Sequence, residues 1–95
     1  MVSHPNPPFQ MGQVVATPGA LKALEESGQA HLEFLCRHLR GDWGEICSED
    51  WAANDQALLE GTRLLSSYTT RKGVKLWVLT EADRSVTTLL LPEEY

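Results

Sequence analysis

Residues 63–91 read "RLLSSYTTRKGVKLWVLTEADRSVTTLLL", and this stretch decides the fold. It is rich in β-branched and aromatic residues, its pattern repeats with a period of two, and the turn-like segments "RKG" and "EADR" divide it into three runs. Such a pattern is typical of antiparallel strands joined by short loops. Gly73 suits the left-handed position of a three-residue loop at 71–73. The stretch therefore predicts a three-stranded antiparallel meander.

The register of the first hairpin determines which side chains share a face of this sheet. If Thr70 lies opposite Val74, the strand alternation separates the residues into two groups. The first face then holds Leu64, Ser66, Tyr68, Val74, Leu76, Val78, Thr87, Leu89 and Leu91. The second face holds Leu65, Ser67, Trp77, Leu79, Val86, Thr88 and Leu90. The first face is the better core, so the apolar residues of the second face are left for an interface or for the N-terminal segment to cover.

Three helices are predicted before the meander. Residues 17–28, "TPGALKALEESG", begin with Thr17 as N-cap and Pro18 at the first helical position, and they end at Gly28. A third helix is expected from an N-cap at Ser48 to a terminating Gly61.

The middle helix, residues 30–40, has the clearest amphipathic pattern. In "AHLEFLCRHLR", Leu32, Leu35, Cys36 and Leu39 follow the i, i+3, i+4, i+7 spacing. This spacing predicts that these four residues face the core, with Cys36 as a small apolar core residue.

The chain is long enough for one domain. It has 95 residues, of which 42% are hydrophobic, which suffices for a single core. The proline-rich residues 1–11 predict a disordered tail, and residues 12–95 predict the domain. We expect an α+β fold with three short helices on one face of a three-stranded antiparallel sheet, which residues 13–16 could extend to four strands.

The segment between the second and third helices holds an aromatic residue between two glycines. Gly41 can end the second helix in the left-handed conformation, and Gly44 lets the chain turn towards Ser48. Trp43 is then expected to fold back onto the helical core as part of a structural elbow. If Trp43 were exposed instead, it would be an anchor for a partner.

Composition disfavours several classes of function. The net charge of −5 opposes general binding to nucleic acid. No segment approaches the length of a membrane span, the first residues lack the charged and apolar pattern of a signal peptide, and two cysteines fit a reducing compartment, so we expect a cytoplasmic protein.

Metal and catalytic motifs are equally weak. The histidines and cysteines at 31, 36, 38 and 47 lack metal-ligand spacing on a helix, so no metal is expected. The sequence has no glycine-rich phosphate loop and no nucleophile elbow, and we expect no cofactor. A small hydrolase or toxin-like enzyme built around His38, Asp42 and Cys47 stays open as a third alternative.

The leading hypothesis is a protein interaction surface on the second face of the sheet and the turn beside it. Its candidate residues are Leu65, Trp77, Leu79, Glu81, Asp83 and Arg84. Such a surface would bind an unidentified protein or a second copy of the chain. The alternative is a nucleic-acid-binding regulator that uses Arg37 and Arg40 with the basic turn at 71–75.

Several stretches resemble those of a known group of proteins. The segments "VVATPGALKALEESG", "LEFLCRHLRGDWGE" and "LWVLTEADRSVTTLLLPEEY", with "GTRLLSSY" between them, resemble a family of small uncharacterised bacterial proteins. Members of that family are often labelled hypothetical or plasmid-related and are associated with mobile elements and restriction loci. The resemblance covers about residues 12–95. It implies an accessory role in a mobile element and no particular catalytic residue or ligand.

Overall fold

The computed structural model describes residues 9–95. Its elements, in chain order, are β1 (Gln13–Ala16), α1 (Pro18–Ser27), α2 (His31–Leu39), α3 (Ser48–Glu60), β2 (Leu64–Thr69), β3 (Lys75–Thr80), β4 (Val86–Leu90) and a short 3₁₀ helix (Pro92–Glu94). None of the described helices is long and apolar enough to cross a membrane. Of the predicted tail, residues 1–8 lie outside the described residues, whereas Phe9 is buried with its ring centroid 6.3 Å from that of Trp43.

The fold is α+β, as the sequence predicts, and the meander β2–β3–β4 is confirmed. The strand order is β1-β4-β3-β2, so residues 13–16 do form the fourth strand. The expectation of an antiparallel sheet is wrong, because β1 runs parallel to β4 and the sheet is mixed. A parallel pair needs a long crossover connection, and here the three helices and the β2–β3 hairpin provide it.

The predicted faces of the meander are confirmed. Thr70 donates its N–H to the carbonyl of Val74 at 2.9 Å, which sets the expected register. The buried core of the first face comprises Leu64, Tyr68, Leu76, Val78 and Leu89. Ala20 and Leu24 of α1 and Phe34 and Leu35 of α2 pack against four of these side chains, and Ala57 of α3 clusters with Leu64. The helical layer therefore lies on the first face.

The helix ends follow the predicted capping residues, with one shift. Thr17 accepts a hydrogen bond from the N–H of Ala20, and Gly28 ends α1 in the left-handed conformation. Gly61 ends α3 in the same left-handed conformation. The N-cap of α3, however, is Cys47 rather than Ser48. The thiol of Cys47 accepts from the N–H of Asp50 at 3.4 Å.

The buried face of α2 differs from the prediction. Leu32 is 57% exposed and Cys36 is also exposed, whereas Phe34, Leu35 and His38 are buried. Cys36 is therefore not a core residue. The helix is rotated because its most deeply placed polar side chain, His38, finds hydrogen-bond partners inside the sheet, and a satisfied polar group can be buried at little cost.

The elbow after α2 is confirmed. Trp43 is fully buried and donates its indole N–H to a carboxylate oxygen of Asp55 at 3.0 Å. Gly44 has a φ of +76°, and a Cβ at this position would lie 2.1 Å from the carbonyl oxygen of Ser67. Only glycine allows this approach, which brings residues 43–45 against β2.

Candidate functional site

The second face of the sheet carries the predicted interaction residues Leu65, Trp77 and Leu79, which we call the Trp77 face. Among the described residues, neither buried core cluster includes a side chain from this face. Leu65 and Trp77 are half-buried, and Leu79 is buried with 7% exposure. Of these three residues, Leu65 and Trp77 therefore offer the apolar surface available to a partner, and Leu79, which pairs with Leu65 across the β2–β3 ladder, is buried.

The C-terminal segment partly covers Trp77. The ring of Tyr95 packs against the Trp77 ring at 5.8 Å with an interplanar angle of 72°, an edge-to-face geometry that aromatic pairs favour. The guanidinium of Arg63 lies over the Tyr95 ring, 5.7 Å from its centroid, and Arg63 also donates a hydrogen bond to the Tyr95 hydroxyl. Tyr95 is itself 62% exposed, so this aromatic stack lies at the surface.

A buried hydroxyl lies on the same face. Ser67 pairs with Trp77 across the β2–β3 ladder and is 4% exposed. Within the described part of the chain, its Oγ has no hydrogen-bond partner. Buried hydroxyl groups without a partner are uncommon and costly, so this position of the Trp77 face is imperfectly satisfied in the isolated chain.

The turn at Glu81–Arg84 has a strong structural function. Asp83 is exposed and accepts hydrogen bonds from the N–H and the hydroxyl of Ser85, and these bonds lower the pKa of its carboxyl. Arg84 has a φ of +62° and donates to the carbonyls of Ala57 and Thr62 at 3.2 and 2.6 Å. Arg84 ties the turn to the end of α3 and is half-buried, whereas Glu81, Ala82 and Asp83 are exposed, so the polar side chains that this turn presents to solvent are Glu81 and Asp83.

A chain of buried hydrogen bonds crosses the core through His38. Nδ1 of His38 lies 2.5 Å from the Ser66 hydroxyl, and Nε2 lies 2.9 Å from that of Thr80. The Thr80 hydroxyl lies 2.7 Å from that of Thr87, which donates to the carbonyl of Met11 at 2.7 Å. All four side chains are fully buried.

The carbonyl at the end of this chain fixes the direction of every hydrogen bond in it. A carbonyl can only accept, so Thr87 uses its proton there and must accept from Thr80. Thr80 in turn must accept from Nε2–H of His38, which leaves Nδ1 to accept from Ser66. Burial and, secondarily, the charge of Arg84 lower the pKa of His38 to about 4, so the neutral ring required by this scheme is the stable form.

These contacts do not favour the hydrolase alternative. His38 is fully buried between the rings of Phe9 and Trp43, with each centroid 5.4 Å from its own. Asp42 pairs instead with Arg37 at 2.8 Å, which lowers the pKa of Asp42, and Cys47 caps α3. The three side chains make no hydrogen bond to one another within residues 9–95, and a substrate has no access to the imidazole.

The basic residues named for nucleic-acid binding are partly neutralised. Arg37 is held by Asp42 and lies 4.5 Å above the ring of Tyr68. Arg71 lies 4.0 Å from Glu33. For metals, residues 9–95 contain no cluster of three or more histidine, cysteine or acidic side chains that could hold an ion.

A second apolar surface, which the sequence analysis did not single out, lies at the β1 edge of the sheet. Val14 and Val15 are each 38% exposed, and Leu21 of α1 is 57% exposed. With Ala16, His31 and Leu89, they line an open groove of about 260 Å³. The available signal was the pair of adjacent valines in residues 13–16, which the sequence already offered as a possible fourth strand.

Comparisons of the chain with protein-family models, with curated proteins and with solved structures find no match.

Proposed function

We propose that this protein is a protein–protein interaction module that binds its partner through the Trp77 face. The observation that carries the proposal is the one-sided helical layer, which leaves Trp77 and Leu65 half-buried on the opposite face of the sheet. Large aromatic residues in such positions are the usual anchors of protein interfaces.

Two further features of this face support the proposal. The Trp77–Tyr95 stack presents two aromatic rings that share one surface, and tryptophan and tyrosine are enriched at the centres of interfaces. The unpaired Ser67 hydroxyl belongs to the residue that lies opposite Trp77 in the β2–β3 ladder. A partner bound on this face could supply the missing hydrogen bond, and Glu81 and Asp83 would form the polar rim.

The sequence resemblance to small proteins of mobile elements is the basis for proposing an accessory or regulatory role in such an element. An interaction module fits that role, because it acts by binding another component and needs no catalytic group of its own. We propose no cofactor and no metal for this activity.

The proposal is tested by capturing partners from a lysate of the native host with the tagged full-length chain, with and without nuclease. The variants are Trp77→Ala and, as a matched apolar control, Leu59→Ala, because Leu59 is 83% exposed on α3. We expect the wild type to capture a protein that remains bound after nuclease treatment. The Leu59→Ala variant should capture the same protein. The Trp77→Ala variant should bind it at least about 30-fold more weakly, the loss typical of an interface hot spot.

Circular dichroism must first show that Trp77→Ala keeps its fold. A folded Trp77→Ala protein that retains every partner would contradict the proposal. Capture that depends on nucleic acid would favour the regulator that binds through the basic turn, and its affinity should then fall steeply with salt.

A further inference from the structure

The two edges of the sheet differ in whether the outward-pointing backbone groups of the edge strand have hydrogen-bond partners. At the β2 edge, the side-chain amide of Asn54 donates to the carbonyl of Leu65 at 2.7 Å and accepts from its N–H at 3.3 Å. Two residues further along, Ser67 donates to the carbonyl of Trp43 at 3.1 Å and accepts from the N–H of Glu45 at 2.6 Å. These contacts occupy the outward hydrogen-bonding groups of Leu65 and Ser67, so a further strand is blocked from pairing there.

The β1 edge has no comparable protection. Gln13 and Thr17 donate their N–H groups to Ser85 and Leu89 of the β4 segment at 2.9 and 3.0 Å. Since alternate residues of a strand point their backbone groups in opposite directions, the N–H and C=O groups of Val14 and Ala16 point away from the sheet. Residues 9–95 provide no hydrogen-bond partner for them.

The side chains of β1 also lack the features that usually prevent edge pairing. Natural edge strands are commonly protected by lysine, proline, a bulge or an inward-pointing charge. β1 reads "QVVA", with no charge and no proline. Val14, Val15 and Leu21 are three of the exposed large hydrophobic residues, and all three line the groove along this edge.

We propose that the β1 edge is a self-association site, where β1 pairs antiparallel with β1 of a second copy about a two-fold axis through Val15. In this register Val14 lies opposite Ala16 of the other copy, and four backbone hydrogen bonds form between the outward groups of these residues. The two four-stranded sheets become one eight-stranded sheet. The inference concerns a surface other than the Trp77 face and is independent of the proposed function.

A second copy fits this edge better than an unrelated extended peptide. Gly12, with a φ of +65°, and Pro18 limit the strand to two outward-facing residues, so a lone peptide gains few backbone hydrogen bonds. In the two-fold arrangement both copies also contribute Val14 and Leu21, and Val15 packs on Val15 of the other copy. Identical charges meet across a two-fold axis, and the uncharged β1 avoids that repulsion locally.

The net charge of the chain predicts how association depends on salt. Each copy carries −5, so long-range repulsion opposes dimerisation and added salt screens it. We therefore expect the dimer to become tighter as ionic strength rises. Binding to nucleic acid would show the opposite dependence.

Sedimentation equilibrium of the full-length chain over a concentration series tests the proposal. The monomer has a mass of 10.6 kDa, and we expect the wild type to approach twice that value. Val15→Lys places two like charges opposite each other and should weaken the dimer at least about tenfold. Leu59→Lys is the control, since it introduces the same charge at an exposed apolar residue of α3, and it should leave the dimer intact.

A charge-pairing experiment tests the two-fold axis itself. Val15→Lys and Val15→Glu should each be monomeric alone and should form a heterodimer when mixed, because opposite charges then face each other across the axis. A wild-type chain that stays monomeric overturns the proposal, and dimerisation on removal of residues 1–8 would then identify that segment as the occupant of the edge. Equal effects of Val15→Lys and Leu59→Lys, or no association on mixing, also overturn it.

Discussion

The buried His38 makes the stability of this protein sensitive to mild acid. Burial and the nearby charge of Arg84 lower its pKa from 6.5 to about 4 in the folded state. As the pH falls below 6.5, His38 of the unfolded chain becomes protonated, whereas His38 of the folded protein stays neutral until the pH approaches 4. The contribution of His38 to the free energy of unfolding is therefore fully present above pH 6.5 and is lost as the pH falls from there towards 4.

The size of this effect follows from the two pKa values. At about 1.4 kcal/mol per pH unit, the full loss is about 3 kcal/mol, and about 2 kcal/mol of it falls between pH 7 and pH 5. A small domain has a total stability of about 5 to 15 kcal/mol, so the effect is a substantial fraction of the whole. The direction of the hydrogen bonds adds a reason, because a protonated Nδ1 would force the Ser66 hydroxyl to find another acceptor.

Urea unfolding at pH 7 and pH 5 measures this difference. Trp43 provides a fluorescence signal next to the histidine, with ring centroids 5.4 Å apart. The pH window avoids the main carboxylate effect, since hydrogen bonding to Arg37 lowers the pKa of Asp42 and that stability is lost only as the pH falls below about 4. The slope of the unfolding curve with urea should be unchanged, which indicates a change in stability alone.

Two variants separate His38 from the rest of the chain. His38→Gln should be less stable than the wild type at pH 7, because it disturbs the partners of Ser66 and Thr80, but it should lose little further stability at pH 5. His31→Gln alters an exposed histidine of the same helix and should keep the wild-type dependence. A wild-type loss below about 0.5 kcal/mol, or an equal loss in His38→Gln, would refute the reasoning.

Two further substitutions, Gly44→Ala and Asn54→Ala, test the contacts that hold the β2 edge, and Gly73→Ala serves as the control for the first. Gly44→Ala should lower the free energy of unfolding by about 3 kcal/mol, because its Cβ would lie 2.1 Å from the carbonyl oxygen of Ser67. Gly73→Ala also has a positive φ but meets no atom within 4 Å, so it should cost about 1 kcal/mol, and equal losses in urea unfolding would contradict this account. Asn54→Ala removes both hydrogen bonds to Leu65 and should cost about 2 kcal/mol. Hydrogen exchange of the Leu65 amide should accelerate in this variant, and unchanged exchange would count against the blocked edge.

The sequence predicts the meander well because its determinants are local. The period of two, the loop at 71–73 and the pairing of Thr70 with Val74 all depend on residues close together in the chain. The caps of α1 and the burial of Trp43 were predictable for the same reason. Each of these features is determined by a segment of a dozen residues or fewer.

The face of α2 was not predictable from hydrophobicity alone. A polarity scale counts Cys36 as apolar and His38 as polar, yet the first is exposed and the second is fully buried. The decisive information lies in the sheet, where Ser66, Thr80 and Thr87 occupy core positions. Ser66 and Thr87, two small hydroxyl residues on the predicted core face, were the signal that a polar partner from the helices would be buried against them.

The candidate surfaces were predicted only in part. Alternation identified Leu65 and Trp77 as residues of the face opposite the helices, but it gave no sign that Tyr95 packs on Trp77 or that Arg84 anchors α3. Both contacts join segments that are distant in sequence. The open β1 edge depends on the parallel pairing with β4, which no local pattern encodes.

The position of β1 is better explained by the two edges than by its own sequence. A strand reading "QVVA" has no preference for either side of the meander. The β2 side is closed by Asn54 and by the elbow at residues 43–45, whereas on the β4 side the Thr87 hydroxyl binds the carbonyl of Met11, just before the strand. The chain of hydrogen bonds that begins at the buried His38 therefore ends at Met11 and fixes the position of the segment just before β1. Because one side is closed and the other offers the Thr87 hydroxyl as a hydrogen-bond donor, β1 joins β4, and the only edge left for further pairing within the described sheet is its own.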